Sequence, residues 1–123
     1  MTMNVKTANA KAVTGKCVYV LVCEWRDRHG PEGLDTPRVF SNPYDARMAM
    51  AEDVVCYIDS HHGFKSDGEL DTDAIYCVNN AMDGSPNRKA VTREAKRAYQ
   101  YTVNVDDDGT YANWQIHLVK VDG

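Results

Sequence analysis

Four histidines and four cysteines are the side chains of this 123-residue chain best suited to chemistry, and their spacing decides what they can do. The histidines stand at positions 29, 61, 62 and 117. Adjacent side chains on a helix point about 100° apart, so His61 and His62 do not converge on one ion. There is no HExxH and no Cys/His finger spacing. Cys17 and Cys23 share one face of an expected strand, but strand rise sets them about 20 Å apart, too far for one zinc ion. The acidic stretches do no better. Asp106-Asp107-Asp108-Gly109 lacks the alternating ligands and distal glutamate of an EF-hand loop. Asp67, Glu69, Asp71 and Asp73 alternate without completing that signature.

A cysteine nucleophile needs a base that holds it as thiolate. Cys17, Cys23 and Cys77 fall within expected elements, where a thiol packs as a small hydrophobe. Cys56, on the polar side of a helix, is the thiol to test for reactivity. No serine sits in a G-x-S-x-G elbow, and no glycine-rich phosphate loop occurs. No catalytic residue, metal or cofactor is therefore assigned. A deep pocket holding Cys56 with a histidine would reopen the question of an enzyme.

Two surfaces remain. The first is basic: Arg88, Lys89, Arg93, Lys96 and Arg97 stand against the single carboxylate Glu94. On a helix, Lys89, Arg93, Lys96 and Arg97 cluster along one side, a pattern able to meet phosphates. The acidic remainder of the chain opposes that, and no aromatic stacking platform is interleaved with the run. The second surface is uncharged. Gln100, Thr102, Asn113, Gln115 and His117 fall on one face of a predicted hairpin and offer donors and acceptors without net charge, as a protein-contact surface does.

The strongest element lies between them in the chain. Asn42 suits an N-cap, Pro43 the first helical position, and Asp45 the positive end of the helix dipole. Tyr44, Met48, Ala51, Val55 and Ile58 recur at helical spacing, and Met50, Val54 and Tyr57 widen the stripe. Arg47 lies within the apolar side. Gly63 is the expected left-handed stop, with His61 and His62 at the negative end of the dipole. Asp45, Glu52, Asp53, Cys56 and Asp59 fill the opposite arc, so the helix lies on a sheet rather than inside a core.

Lys16 to Trp25 reads as a strand, β-branched and aromatic. Val18, Val20 and Val22 make one apolar face; Cys17, Tyr19, Leu21, Cys23 and Trp25 make the other. A strand apolar on both faces is usually covered twice. Residues 26–37 read as a charged loop, and Arg38-Val39-Phe40 as a short returning strand. Residues 71–83 fit a helix from Asp71 or Thr72 to Gly84, although the run AIYCV also suits a short buried strand. Ser85-Pro86 reads as the start of a second helix over 88–98. That helical insert would cap the second face of the first strand.

Tyr99 to Val121 reads as a hairpin on Asp108-Gly109, a favoured two-residue turn. This places Val105 opposite Ala112, Val103 opposite Trp114, Tyr101 opposite Ile116 and Tyr99 opposite Leu118, all facing inward. Val119 and Val121 break the alternation, as a bulge would. The last strand, if at an edge, would also be open to pairing with a partner.

The expected fold is α+β: a four-stranded, mostly antiparallel sheet in the order β-β-α-(α-α)-β-β with one long helix on it. Residues 1–15 are an expected flexible lead-in to a single domain over 16–123. The longest apolar run, Cys17 to Cys23, is too short to span a bilayer. Residues 1–15 lack the apolar core of a secretory signal, and no CxxC pair occurs, so reduced thiols and a cytoplasmic location are expected. A net charge of −4 says little about partners. The functional expectation is a small interaction module that binds a protein partner or itself, without membrane association. The alternative is a nucleic-acid-binding or regulatory protein using residues 88–97.

Overall fold

Asn42 begins the long helix. In the computed structural model, which describes residues 17–28, 30–79, 86–106 and 109–121, helix α1 runs Pro43–Ser60. The Asn42 Oδ1 accepts from the Asp45 amide at 2.8 Å, which satisfies one of the amides that every helix start leaves open. Its buried residues are Ala46, Met50, Ala51, Val54 and Ile58. The buried stripe is thus turned from the expected one: Tyr44 faces solvent, and Ala46 lies fully inside. The small Ala46 and Ala51 allow close approach of neighbouring elements.

The helix stop also differs. His62, not Gly63, takes the left-handed conformation, at φ 57°. The His62 amide bonds the Asp59 carbonyl at 2.9 Å and the Gly63 amide bonds the Ile58 carbonyl at 2.8 Å, a Schellman pair. Gly63 is required by packing: a Cβ there would sit 2.5 Å from both Ile58 Cγ2 and Ile75 Cγ1.

The class is α+β with an antiparallel sheet, but the described residues form six strands rather than four. They are β1 (Cys17–Arg26), β2 (Glu32–Leu34), β3 (Arg38–Phe40), β4 (Cys77–Val78), β5 (Gln100–Asn104) and β6 (Tyr111–Lys120). The spatial order is β2-β1-β6-β5-β4, with β3 also on β1. β3 pairs with the first half of β1, at Tyr19–Leu21, and β2 with its end, at Glu24–Arg26. β2 lies in the stretch expected to be loop. It is held by Trp25 lying across Gly33, where a Cβ would approach the indole to 2.9 Å.

Residues 71–79 hold no helix. Asp71 opens a turn through its carbonyl, which accepts from Ala74 and Ile75, and Cys77–Val78 then pairs with β5 as strand β4. The extended alternative for AIYCV prevails because β5 offers an open edge and Ile75 and Val78 fill the core. The remainder of the expected helix, with Ser85, lies outside the described residues, as does the 1–15 lead-in. The second helix, α2 (Arg88–Ala95), is capped by Asn87 rather than Ser85: its Oδ1 accepts from the Ala90 amide at 2.8 Å.

The hairpin keeps its faces and changes its register. Val103 pairs with Ala112 and Tyr101 with Trp114, two residues from the expected partners. The Val105 amide bonds the Thr110 carbonyl, and Asp106 Oδ1 accepts from the Thr110 amide, so the connection is wider than a two-residue turn. A shift of two preserves the pleat: Tyr101, Val103, Ala112, Trp114 and Ile116 are buried. Tyr99 and Leu118, expected inside, are exposed. There is no bulge at Val119: β6 pairs with β1 in unbroken register from Arg26–Tyr111 to Cys17–Lys120. Val119 and Val121 instead face outward with Val18, Val20 and Val39, making a second small apolar cluster.

Both helices lie on the same side. Val91 and Ala95 of α2 join α1 and the inner sheet face in one core, so α2 does not cap the outer face of β1. Arg47 fastens the pair: its Nε donates to the Lys96 carbonyl at 2.9 Å and its Nη1 to the Tyr99 hydroxyl at 2.6 Å. Among the described residues no helix is long and apolar enough to cross a membrane.

Candidate functional site

Three surfaces stand out, two of them anticipated and one not. The unanticipated one is a cleft of about 430 Å³ on the helix side of the sheet, between the second half of α1 and the paired ends of β1 and β6. The buried Cys23, Ala112 and Trp114 form its floor, and Trp25, Tyr57 and His61 its sides. Helical spacing puts Asp53, Tyr57 and His61 along one flank of α1, which explains how one helix supplies so much of the wall.

The rings are interlocked. Tyr57 meets Trp114 edge-on at 5.6 Å and 81°, and His61 tilts onto Tyr57 at 4.5 Å. The Tyr57 carbonyl accepts from the Ser60 hydroxyl at 2.7 Å and lies 3.0 Å from His61 Nδ1. A carbonyl only accepts, so this contact assigns a proton to Nδ1. The carboxylate side is Asp27, Asp35 and Asp53. Asp53 pairs with Arg38 and takes a hydrogen bond from Trp114. Asp35 makes no ion pair with any described residue. Burial lifts the Asp53 carboxyl above its ordinary range despite Arg38. Burial, then Asp35 and Asp53, push the Cys23 thiol up to about 12. Burial, then Cys23, Asp27 and Asp106, push the Tyr57 phenol up to about 12. In all three groups burial is the largest cause, with nearby acidic groups adding to it.

Cys56 lines the same cleft as His61, the arrangement that would reopen the question of catalysis. No hydrogen bond joins them among the described residues, and Cys23 is held as a neutral thiol. The walls offer π faces and carboxylates for binding, not an activated nucleophile.

The uncharged hairpin residues do share the outer sheet face. Gln100 Nε2 donates to Thr102 Oγ1 at 2.6 Å and to Asn113 Oδ1 at 2.9 Å, and the Thr102 hydroxyl donates to Asn113 Oδ1 at 2.6 Å. Asn113 and Gln115 border a hollow of about 200 Å³ with Val22, Glu24 and Leu34. Leu34 is 74% exposed. His117 is exposed on the same face, opposite Val20. β6 lies between β1 and β5, but β5 pairs only with Tyr111–Gln115, so from His117 onward β1 is the one described strand paired with it.

The basic residues gather along α2. Arg88, Lys89, Thr92, Arg93, Lys96 and Arg97 border a groove of about 460 Å³. Arg88 is tied to Asp59, whereas Lys89, Arg93, Lys96 and Arg97 make no ion pair with any described residue.

The cleft had no local signature. Its walls come from residues 23–27, 35, 53–61 and 110–114, stretches that no single spacing links. Among the described residues no group of three or more His, Cys, Asp or Glu side chains is placed to hold a metal ion. Comparison with protein-family models, with curated proteins and with solved structures gives no match to the chain.

Proposed function

We propose that the protein is a non-enzymatic interaction module of the cytoplasm that pairs with a second copy of itself across the outer face of its sheet. The observation that carries this reading is the hollow between Val22, Leu34, Asn113 and Gln115, where an exposed leucine adjoins half-buried apolar and amide side chains. A two-fold contact brings each patch against its own copy. Amides and hydroxyls are both donors and acceptors, so such a face is self-complementary, whereas a charged one repels itself. Glu24 is the one charged residue bordering the hollow. The four cysteines are all free, in keeping with a reducing compartment.

Sedimentation velocity over a range of concentrations tests the proposal. A dimer that dissociates on Val22→Glu or Gln115→Glu, with the fold kept by circular dichroism, is the expected result. A monomer at every concentration overturns self-pairing.

A second reading is supported by the α2 groove. Lys89, Arg93, Lys96 and Arg97, without carboxylate partners among the described residues, border one groove along α2 and the turn after it, which suits a phosphate-bearing polymer. Salt-sensitive binding of a nucleic acid, lost in the triple variant Arg93→Glu, Lys96→Glu, Arg97→Glu, supports it.

A further inference from the structure

We infer that the cleft beside α1 is a binding site for a cation on an apolar stem, a guanidinium or alkylammonium group. The site is on the helix side of the sheet, apart from the proposed pairing face. At about 430 Å³ it lies within the range of small-ligand pockets and exceeds what a bare guanidinium fills, so the ligand carries a stem. Trp25 and Tyr57 supply aromatic walls, and a cation is attracted over the face of such a ring; Trp114, 2% exposed, closes the floor beneath them. Asp35, without an ion-pair partner among the described residues, supplies the counter-charge. Asp53 is already occupied by Arg38 and the Trp114 N–H, so it holds the wall in place.

The molecule seats one of its own guanidinium groups in this manner: Arg88 lies 4.7 Å from the Phe64 ring centre while bonded to Asp59. Arg47 lies 5.2 Å from the Tyr99 ring centre and donates to the Lys96 carbonyl and the Tyr99 hydroxyl rather than to a carboxylate. The cleft sets aromatic rings and the Asp35 carboxylate on one lining, and the guanidinium that also borders it, Arg26, is paired with Glu32 at 3.8 Å. A planar guanidinium both stacks and forks to a carboxylate, so it is expected to bind more tightly than an ammonium of equal charge.

The chain has two tryptophans, and both line the cleft, so intrinsic fluorescence reports on this site directly. The full chain is titrated with argininamide, with the pentapeptide Gly-Gly-Arg-Gly-Gly, and with citrullinamide as the neutral isostere. The expected result is a saturable change and a shift of both indole N–H resonances with the arginine ligands. Citrullinamide is expected to bind at least about tenfold more weakly. Tighter binding of the pentapeptide identifies a protein segment as the source, and tighter binding of argininamide a free small molecule. Asp35→Asn, at an exposed loop position, is expected to weaken argininamide at least about tenfold, and added salt to weaken it further. Equal binding of citrullinamide, an Asp35→Asn variant that titrates like the parent, or indole resonances that do not move would each overturn the assignment.

Discussion

Arg88 holds Asp59 with both terminal nitrogens, at 3.0 and 2.6 Å, while its guanidinium lies over Phe64. The first residue of the basic run is therefore a clamp between α2 and the end of α1, and the rest of the run is free of that duty. Arg88→Ala is expected to lower stability by about 1 kcal/mol, since the pair is nearly half exposed and such pairs contribute little more. Changing Arg93, Lys96 and Arg97 together to Glu is expected to alter stability by less than about 1 kcal/mol, as exposed sites do. Urea denaturation of both variants checks the division. Equal losses would mean that the whole run is structural.

Gly63 stands where no side chain fits. Gly63→Ala forces a methyl group against Ile58 and Ile75 and is expected to cost roughly 1–3 kcal/mol, typical of overpacking. The neighbouring change has the opposite sign. His62→Gly relieves a left-handed non-glycine residue and is expected to raise stability by up to about 1 kcal/mol. Thermal unfolding of the two variants should move in opposite directions.

Tyr101 is fully buried, and its hydroxyl has no hydrogen-bond partner among the described residues. Burial raises its phenol well above the ordinary value. Tyr101→Phe removes an unsatisfied group without opening a cavity, so it is expected to be neutral or to stabilise by about 1 kcal/mol. A loss greater than about 1 kcal/mol would show that the hydroxyl has a partner.

Thiol chemistry should divide by burial. Cys23, with its thiol pushed up to about 12, is expected to resist alkylation at neutral pH until the chain unfolds. Cys56 is exposed and is expected to be modified in the native protein. Mass mapping after brief iodoacetamide treatment, with and without denaturant, reads both. Native labelling of Cys23 ahead of Cys56 would contradict the packing of the cleft floor.

Asp53 should shape the pH profile. Burial raises its carboxyl above the ordinary 3.8, with Arg38 and the Trp114 N–H acting against and Asp35 acting with it. The Asp53 charge in turn helps to raise the Cys23 thiol. The folded chain then binds a proton at higher pH than the unfolded chain does. Its contribution to stability is greatest below 3.8 and falls as pH rises through the folded value. Asp53→Asn is expected to flatten the unfolding midpoint across that acidic interval. Parallel profiles for parent and variant would refute the linkage.

What could be read from residues alone follows from what each pattern constrains. Asn42, Pro43 and the apolar spacing of 44–58 constrain one helix, and α1 is there. Alternation in 100–117 places Trp114 inside and Gln115 outside, since a slip of one residue exchanges the faces. A slip of two does not, and the backbone bond from Val105 to Thr110 settles that choice without any trace in the hydrophobic pattern. AIYCV satisfies helix and strand alike, and only the open edge of β5 decides between them. The turn of α1 about its own axis depends on α2 packing beside it, a contact between segments some forty residues apart. The cleft is a meeting of four separate stretches, so no spacing within any one of them announces it.

The borders of the sheet carry a last implication. On one side the outermost strand is Cys77–Val78, and on the other the rim is divided between two three-residue strands. Templated fibre growth recruits segments of about six or seven residues, more exposed backbone than either rim supplies. Among the described residues these rim strands are by themselves too short to template such a stack.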